Sequence, residues 1–137
     1  MFDKVIKNVR IIDGSAAPWY CGDIGIQDGR IRRIGCISHE ENTVDGGDLY
    51  AAPGFIDIHV PGGGGRCCME GTPQSVLDMA SAHAQYGTTT ILPTAWTAPL
   101  AHIERTIDAV HEASVMFGPS TIAGSTPVGP VPAAHKA

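Results

Sequence analysis

Pro53-Gly-Phe-Ile-Asp-Ile-His-Val-Pro-Gly-Gly-Gly-Gly65 is the stretch that decides the fold. Residues 54–60 form a strand-like apolar run, and the glycines after Pro61 read as a flexible connection. Thr72-Pro73 then supplies a helix start, a capping hydroxyl followed by proline in the first turn. Val76, Leu77, Ala80 and Ala84 follow at helical spacing, and Gly87 ends that helix. Residues 88–92 are β-branched and read as the next strand, with a loop over 93–99. A second amphipathic helix places Ile103, Ile107 and Val110 on one face and ends at Gly118-Pro119. Residues 121–123 read as a third strand. Strand, helix, strand, helix, strand is the rhythm of parallel β/α units. A doubly wound sheet and a β/α barrel both satisfy it.

Upstream of Pro53 the pattern is different. Val5, Ile6, Val9, Ile11 and Ile12 form an extended apolar stretch that closes at Asp13-Gly14. Residues 23–27 alternate apolar and polar, Asp28-Gly29 supplies a tight turn, and residues 30–34 resume. Asp-Gly between two strand patterns is a strong hairpin signal. Residues 38–48 are polar and Gly-rich and read as loop. The expected division is therefore a small β domain over 1–52 and an α/β domain over 53–137.

Composition narrows the partners. The chain has 137 residues, 43% hydrophobic and 17% charged, which is a globular balance. Its net charge of −5 argues against a nucleic-acid or anionic-membrane surface. The densest basic cluster, Arg30, Arg32 and Arg33, reads as a solvated strand face. No apolar run approaches the roughly 20 residues of a membrane helix, and the start lacks the pattern of a signal peptide. A cytoplasmic location is expected. Cys21, Cys36, Cys67 and Cys68 fit neither a disulfide framework nor zinc-finger spacing, so four reduced thiols are expected.

Catalytic groups of parallel α/β folds collect at the carboxyl ends of the strands. Asp57 and His59 lie two apart near such an end, and a neutral imidazole there is a candidate metal ligand. A hydrogen-bonded structural histidine is the competing reading. The Gly62–Gly65 run lacks the Lys-Ser/Thr of a phosphate-binding loop and specifies no ligand. His83, His102 and His111 fall on helices as surface or satisfied residues. Trp96, in the loop after the second strand, either lines a pocket or packs on the following helix.

Three stretches together, residues 5–14, residues 22–31 and Ala52-Pro-Gly-Phe-Ile-Asp-Ile-His59, resemble the opening of the amidohydrolase superfamily. With Gly62–Gly65, Met69-Glu-Gly-Thr72, His83-Ala-Gln-Tyr-Gly-Thr-Thr89 and Leu92-Pro-Thr94, the resemblance narrows to the N-acetylglucosamine-6-phosphate deacetylases. It extends to about Gly124. Ala17-Pro-Trp-Tyr20 is also similar to N-acyl-D-amino-acid deacylases, which keeps that substrate class open. A non-catalytic protein binding sugar phosphate or partners through the Gly run is the reading from another class.

The resemblance implies a (β/α)8 barrel preceded by part of a small β-sandwich, and a divalent metal (zinc or similar) that activates water. It further implies an amino-sugar phosphate substrate and a homodimer for the full-length enzyme. His59 is the candidate metal ligand. Two positions depart from the family. Pro61 stands where a second histidine is common, and Val128 stands where the family carries a metal-binding Glu. The catalytic Asp of the family belongs to a later strand, so no catalytic residue is assigned. The chain is expected to be an N-terminal fragment without activity of its own. A one-base slip near Gly124 would turn Val-His codons into Ser125-Thr126 and account for the altered motif.

Overall fold

A computed structural model describes residues 1–38, 42–116 and 118–128. The chain divides into two compact units, Met1–Pro53 and Gly54–Ala137.

In the first unit, β1 (Lys4–Ile11), β2 (Tyr20–Gln27), β3 (Arg30–Gly35) and β4 (Thr43–Asp45) form a sheet in the order β3-β2-β1-β4, and β5 (Tyr50–Ala51) also pairs with β1. β4 lies inside the segment that reads as loop in sequence. It is only three residues long, and its pairing with β1 gives its backbone groups partners there. The β2–β3 turn has Asp28 at φ 53° and Gly29 at φ 67°. Left-handed geometry at both central residues matches the twist of the flanking strands.

Two bulges explain apolar spacings that a regular strand would waste. Ile6 faces Ile24 and Val9 faces Gly22, so β1 carries one extra residue there, with Asn8 at φ 57°. Gly25 faces Arg33 and Ile26 faces Ile31, so β3 carries another. Directly opposed residues share a face. Each bulge therefore returns an i, i+3 pair, Ile6/Val9 and Ile31/Ile34, to one side of the sheet. Val9, Ile11 and Ile24 form its buried centre, while Ile31 and Ile34 remain 60% and 43% exposed.

On the opposite face a Cβ at Gly25 would lie 2.8 Å from the Phe2 ring and 3.0 Å from Ile37. Glycine there lets both side chains lie against the strand. Buried Asp23 accepts the backbone N–H groups of Ile37 (2.9 Å) and Asn8 (3.2 Å) and pairs with Lys7 at 3.2 Å. The Ile37 and Asn8 amides, opposed by burial and aided by Lys7, hold its carboxyl below the usual range.

The second unit centres on β9 (Thr88–Ala95). Ile91 pairs with Asp57 of β6 (Phe55–Val60) and with Ile122 of β10 (Thr121–Ile122), so these strands flank β9, both parallel to it. β11 (Thr126–Pro127) continues alongside Thr94 and Ala95. α1 (Pro73–Ala84) starts as expected, with Thr72 Oγ1 accepting the Ser75 N–H at 3.2 Å. Val76, Met79 and Ala80 bury completely with Val60, Ile91, Val110 and Ala113. Fully burying a side chain of the valine or methionine kind contributes about 1.5–3 kcal/mol.

Two boundaries differ from the sequence reading. β9 runs through Pro93 to Ala95 instead of ending at Leu92, for reasons given with the site below. α2 (Leu100–Ser114) stops before Gly118, because Ala113 is its last buried residue and Ser114 Oγ donates to the His111 carbonyl at 2.7 Å. Ile107, expected on the packed face, is partly exposed, and Phe55, Ile56 and Ile58 of β6 are mostly exposed. No helix among the described residues is long and apolar enough to cross a membrane.

Replacing Asp23 by Asn puts an amide where two backbone N–H groups converge. Urea unfolding at pH 7 is expected to show a loss of about 1.5–3 kcal/mol, the range for hydrogen bonds to a charged group. Because the folded carboxyl titrates below the unfolded one, its stabilisation is present above the unfolded value near 3.9 and is lost as pH falls through the folded value. The gap between wild type and Asp23→Asn should therefore narrow below about pH 4.

Candidate active-site face

The carboxyl ends of β6, β9 and β11 come together because of one local defect. Proline in a central strand offers no N–H to the ladder. Pro93 nevertheless sits opposite Val60, and the Val60 N–H is taken by Thr94 Oγ1 at 2.9 Å. Over the same interval β6 advances from Asp57 to Val60 while β9 advances from Ile91 to Pro93, so β6 bulges at Ile58–His59. Bulges beside functional sites re-aim side chains. His59 is exposed at this point, and its backbone N–H donates to Asp57 Oδ1 at 3.0 Å.

The Gly run is an ordered hairpin, not a flexible connection. β7 (Gly62–Gly63) pairs with β8 (Arg66–Cys67), and Gly64 and Gly65 make the turn at φ 60° and 77°. A Cβ on Gly62 would lie 2.6 Å from the Arg66 carbonyl oxygen, and one on Gly63 would lie 2.6 Å from His83 Nε2. His83 Nε2 is 3.2 Å from the Gly62 carbonyl, so it carries the proton and donates. His83 is thus a satisfied structural residue. His102 is another, its Nε2 lying 2.7 Å from the Met69 carbonyl. His111 and Trp96 are exposed; Trp96 follows β9 directly.

Beyond the hairpin, Cys67 caps a single 3-10 turn, Cys68–Glu70, with Glu70 reaching back to its N–H at 2.9 Å. Arg66 bridges Glu70 and Asp78, each at 3.1 Å. Such half-exposed pairs contribute little individually. Cys68 is fully buried and its Sγ donates to the Thr94 carbonyl at 2.7 Å. Burial, with the neighbouring Cys67 thiol, pushes it up to about 11. Thr94 therefore ties β6 to β9 through its hydroxyl and accepts the Cys68 thiol through its carbonyl. The signal in sequence was a β-branched hydroxyl residue directly after a proline inside an apolar run.

Among the described residues no group of three His, Cys, Asp or Glu side chains is placed to hold a metal ion. His59 and Asp57 are the donors at this face. Val128, one residue past β11, donates its N–H to the Ala95 carbonyl at 2.8 Å and offers no ligand atom. The described residues by themselves do not assemble a site for a divalent cation.

Gly62→Ala is expected to cost about 1–3 kcal/mol in denaturant unfolding, since a backbone carbonyl blocks it. Gly63→Ala should cost less, and its cost should vanish in a His83→Ala background, because the obstacle is that ring. Thiol labelling at pH 8 should modify exposed Cys21 and Cys36 promptly and leave Cys68 untouched until the protein unfolds.

No family model matches the chain. Adenine deaminase 2 of Desulfotalea psychrophila is 38% identical over 90 residues, covering 66% of this chain and 14% of the relative. A dihydroorotase of Streptococcus pneumoniae is 33% identical over 112 residues, 77% of this chain and 25% of the relative. N-acyl-D-aspartate deacylase of Alcaligenes xylosoxydans xylosoxydans is 37% identical over 59 residues, 42% and 12% of the two chains. In fold, N-acetylglucosamine-6-phosphate deacetylase from Pasteurella multocida matches 92% of this chain with a TM-score of 0.82 at 21% identity. The chain spans a quarter or less of these curated relatives and 34% of that structure. Shared sequence and shared fold agree: the chain belongs to the amidohydrolase superfamily.

Proposed function

We propose that this chain carries the opening sheet and the first strands of a (β/α)8 barrel enzyme that deacetylates N-acetylglucosamine-6-phosphate. The products would be glucosamine-6-phosphate and acetate. The observation that carries this reading is the fold likeness over 92% of the chain to a deacetylase of that substrate. The residues behind the sequence resemblance add support, because they interlock around one face: the Gly62–Gly65 hairpin against His83, and Thr94 against Val60 and Cys68.

In this reading the full enzyme uses a divalent metal to activate water and polarise the acetamide carbonyl. This chain contributes His59, held by the β6 bulge and by the bond from its N–H to Asp57. The Gly hairpin and the Thr94 bridge fix the rim from which that imidazole projects. With no cation-binding set among the described residues, the chain by itself is proposed to have no hydrolase activity.

A second reading is favoured by the sequence relatives, which are an adenine deaminase, a dihydroorotase and an N-acyl-D-aspartate deacylase. Each name denotes hydrolysis at a different C–N bond, so substrate choice separates the two readings. A hybrid in which residues 1–124 replace the matching segment of the Pasteurella multocida deacetylase decides between them. It retains that enzyme's own residues beyond the junction. Acetate release from N-acetylglucosamine-6-phosphate, without ammonia from adenine, is the expected outcome. A hybrid folded by circular dichroism that releases no acetate would overturn the deacetylase reading, and ammonia from adenine would establish the other.

A further inference from the structure

Free cysteine is among the most buried residue types, behaving as a small apolar side chain. Cys21 and Cys36 are both exposed, and they line one depression of the first unit together with Lys7, Asn8 and Asp23. The backbone explains how they meet. Cys21, Asp23 and Gly25 alternate onto one side of β2. The chain leaves β3 at Gly35, whose φ of 132° suits glycine. Ile37 then lies on the Gly25 side of β2, its Cδ1 3.0 Å from where a Cβ on Gly25 would stand. The Ile37 N–H donates to Asp23 Oδ2 at 2.9 Å, and its carbonyl accepts from Lys7 Nζ. Cys36 is therefore held between a sharp bend and a buried neighbour bonded through both backbone groups. Asp23 pairs with Gly35. Ordinary strand spacing and rise from that pair put the Cys21 and Cys36 Cα atoms roughly 6 Å apart, within the span of a disulfide.

We propose that Cys21 and Cys36 form a dithiol site, oxidised reversibly to a disulfide by small disulfides of the glutathione kind. One protein thiolate attacks the glutathione disulfide, forming a mixed disulfide and releasing one glutathione thiolate. The second protein thiolate attacks the protein sulfur of that mixed disulfide and releases the other glutathione. One protein disulfide forms, one glutathione disulfide is reduced, and the two protein protons pass to the released thiolates. The bond closes the β2–β3 hairpin at its open end, opposite the Asp28-Gly29 turn, and pins β3, the last strand in the sheet order. Such a cross-link also restricts the unfolded chain. The other two thiols are engaged elsewhere: Cys68 Sγ donates to the Thr94 carbonyl, and Cys67 Sγ accepts the Met69 N–H. The site lies wholly in the first unit and does not depend on the deacetylase reading.

Incubation of the whole reduced chain with oxidised glutathione, followed by blocking of free thiols and peptide mapping by mass, tests this. The expected product is a single chain cross-linked between Cys21 and Cys36, with Cys67 and Cys68 still free. Its urea midpoint should shift upward, and dithiothreitol should reverse the shift. Cys21→Ser and Cys36→Ser should each stop at one glutathione on the remaining partner, with no such shift. Both substitutions fall at exposed positions. Should either variant fail to fold by circular dichroism, the map of the wild-type chain decides alone. Folded wild type that carries glutathione on both cysteines, joins two chains or stays reduced would refute the proposal. So would a bond that forms in urea and not in the folded chain.

Discussion

The hydrogen bond from the Val60 N–H to Thr94 Oγ1 is the contact on which the second unit's functional face depends. Pro93 removes a backbone donor from the middle of a sheet, a defect that usually confines proline to edges. Opposite Pro93 the Val60 N–H is accepted by Thr94 Oγ1, and the pairing of β6 with β9 reaches the proline. The cost of an unsatisfied buried N–H is about 1–3 kcal/mol, comparable with burying a whole aliphatic side chain. The same residue's carbonyl accepts the Cys68 thiol, so the 3-10 turn after the hairpin is anchored to the same point. Strand end, bulge and rim are fixed together, and His59 takes its place from them.

Where the chain could be read in advance, physical chemistry acted locally. Thr72-Pro73 starts a helix because a hydroxyl caps an N–H and a fixed φ suits the first turn, both properties of two adjacent residues. Asp28-Gly29 makes a hairpin for a similarly local reason. Where reading failed, the deciding partner was distant in sequence. Pro93 looks like a strand terminator until Thr94 is seen to accept from Val60, 34 residues earlier. The glycine run looks flexible until His83 and the Arg66 carbonyl are seen to leave no room for a Cβ. Four glycines are then a requirement of close approach rather than a source of freedom.

The small sheet shows a third way in which sequence patterns mislead. Ile6-Lys-Asn-Val9 and Ile31-Arg-Arg-Ile34 have a spacing nearer to helical than to strand periodicity. Bulges reconcile them: one extra residue resets the alternation and returns both apolar residues to one face. The strand reading of this region rested on the extended apolar stretch closed by Asp13-Gly14, on the alternation of residues 23–27 and on the Asp28-Gly29 turn, not on these two spacings. The bulges themselves were not legible, because they are set by pairing across strands.

The candidate site was legible in an uneven way, and the unevenness has a physical meaning. His59 was picked out by its place at a strand end, and that placement holds. Its partners were not, since metal ligands are gathered by tertiary structure from strands far apart in the chain. A scaffold is maintained by many contacts of modest size, so it tolerates loss of any single ligand: Val128 keeps its ladder bond to Ala95 whatever its side chain. Cation binding has no such redundancy, because removing one or two donors leaves an ion with too few bonds to offset its desolvation. In this chain the rim built by Thr94 and the Gly hairpin is held by hydroxyl and backbone contacts that need no cation.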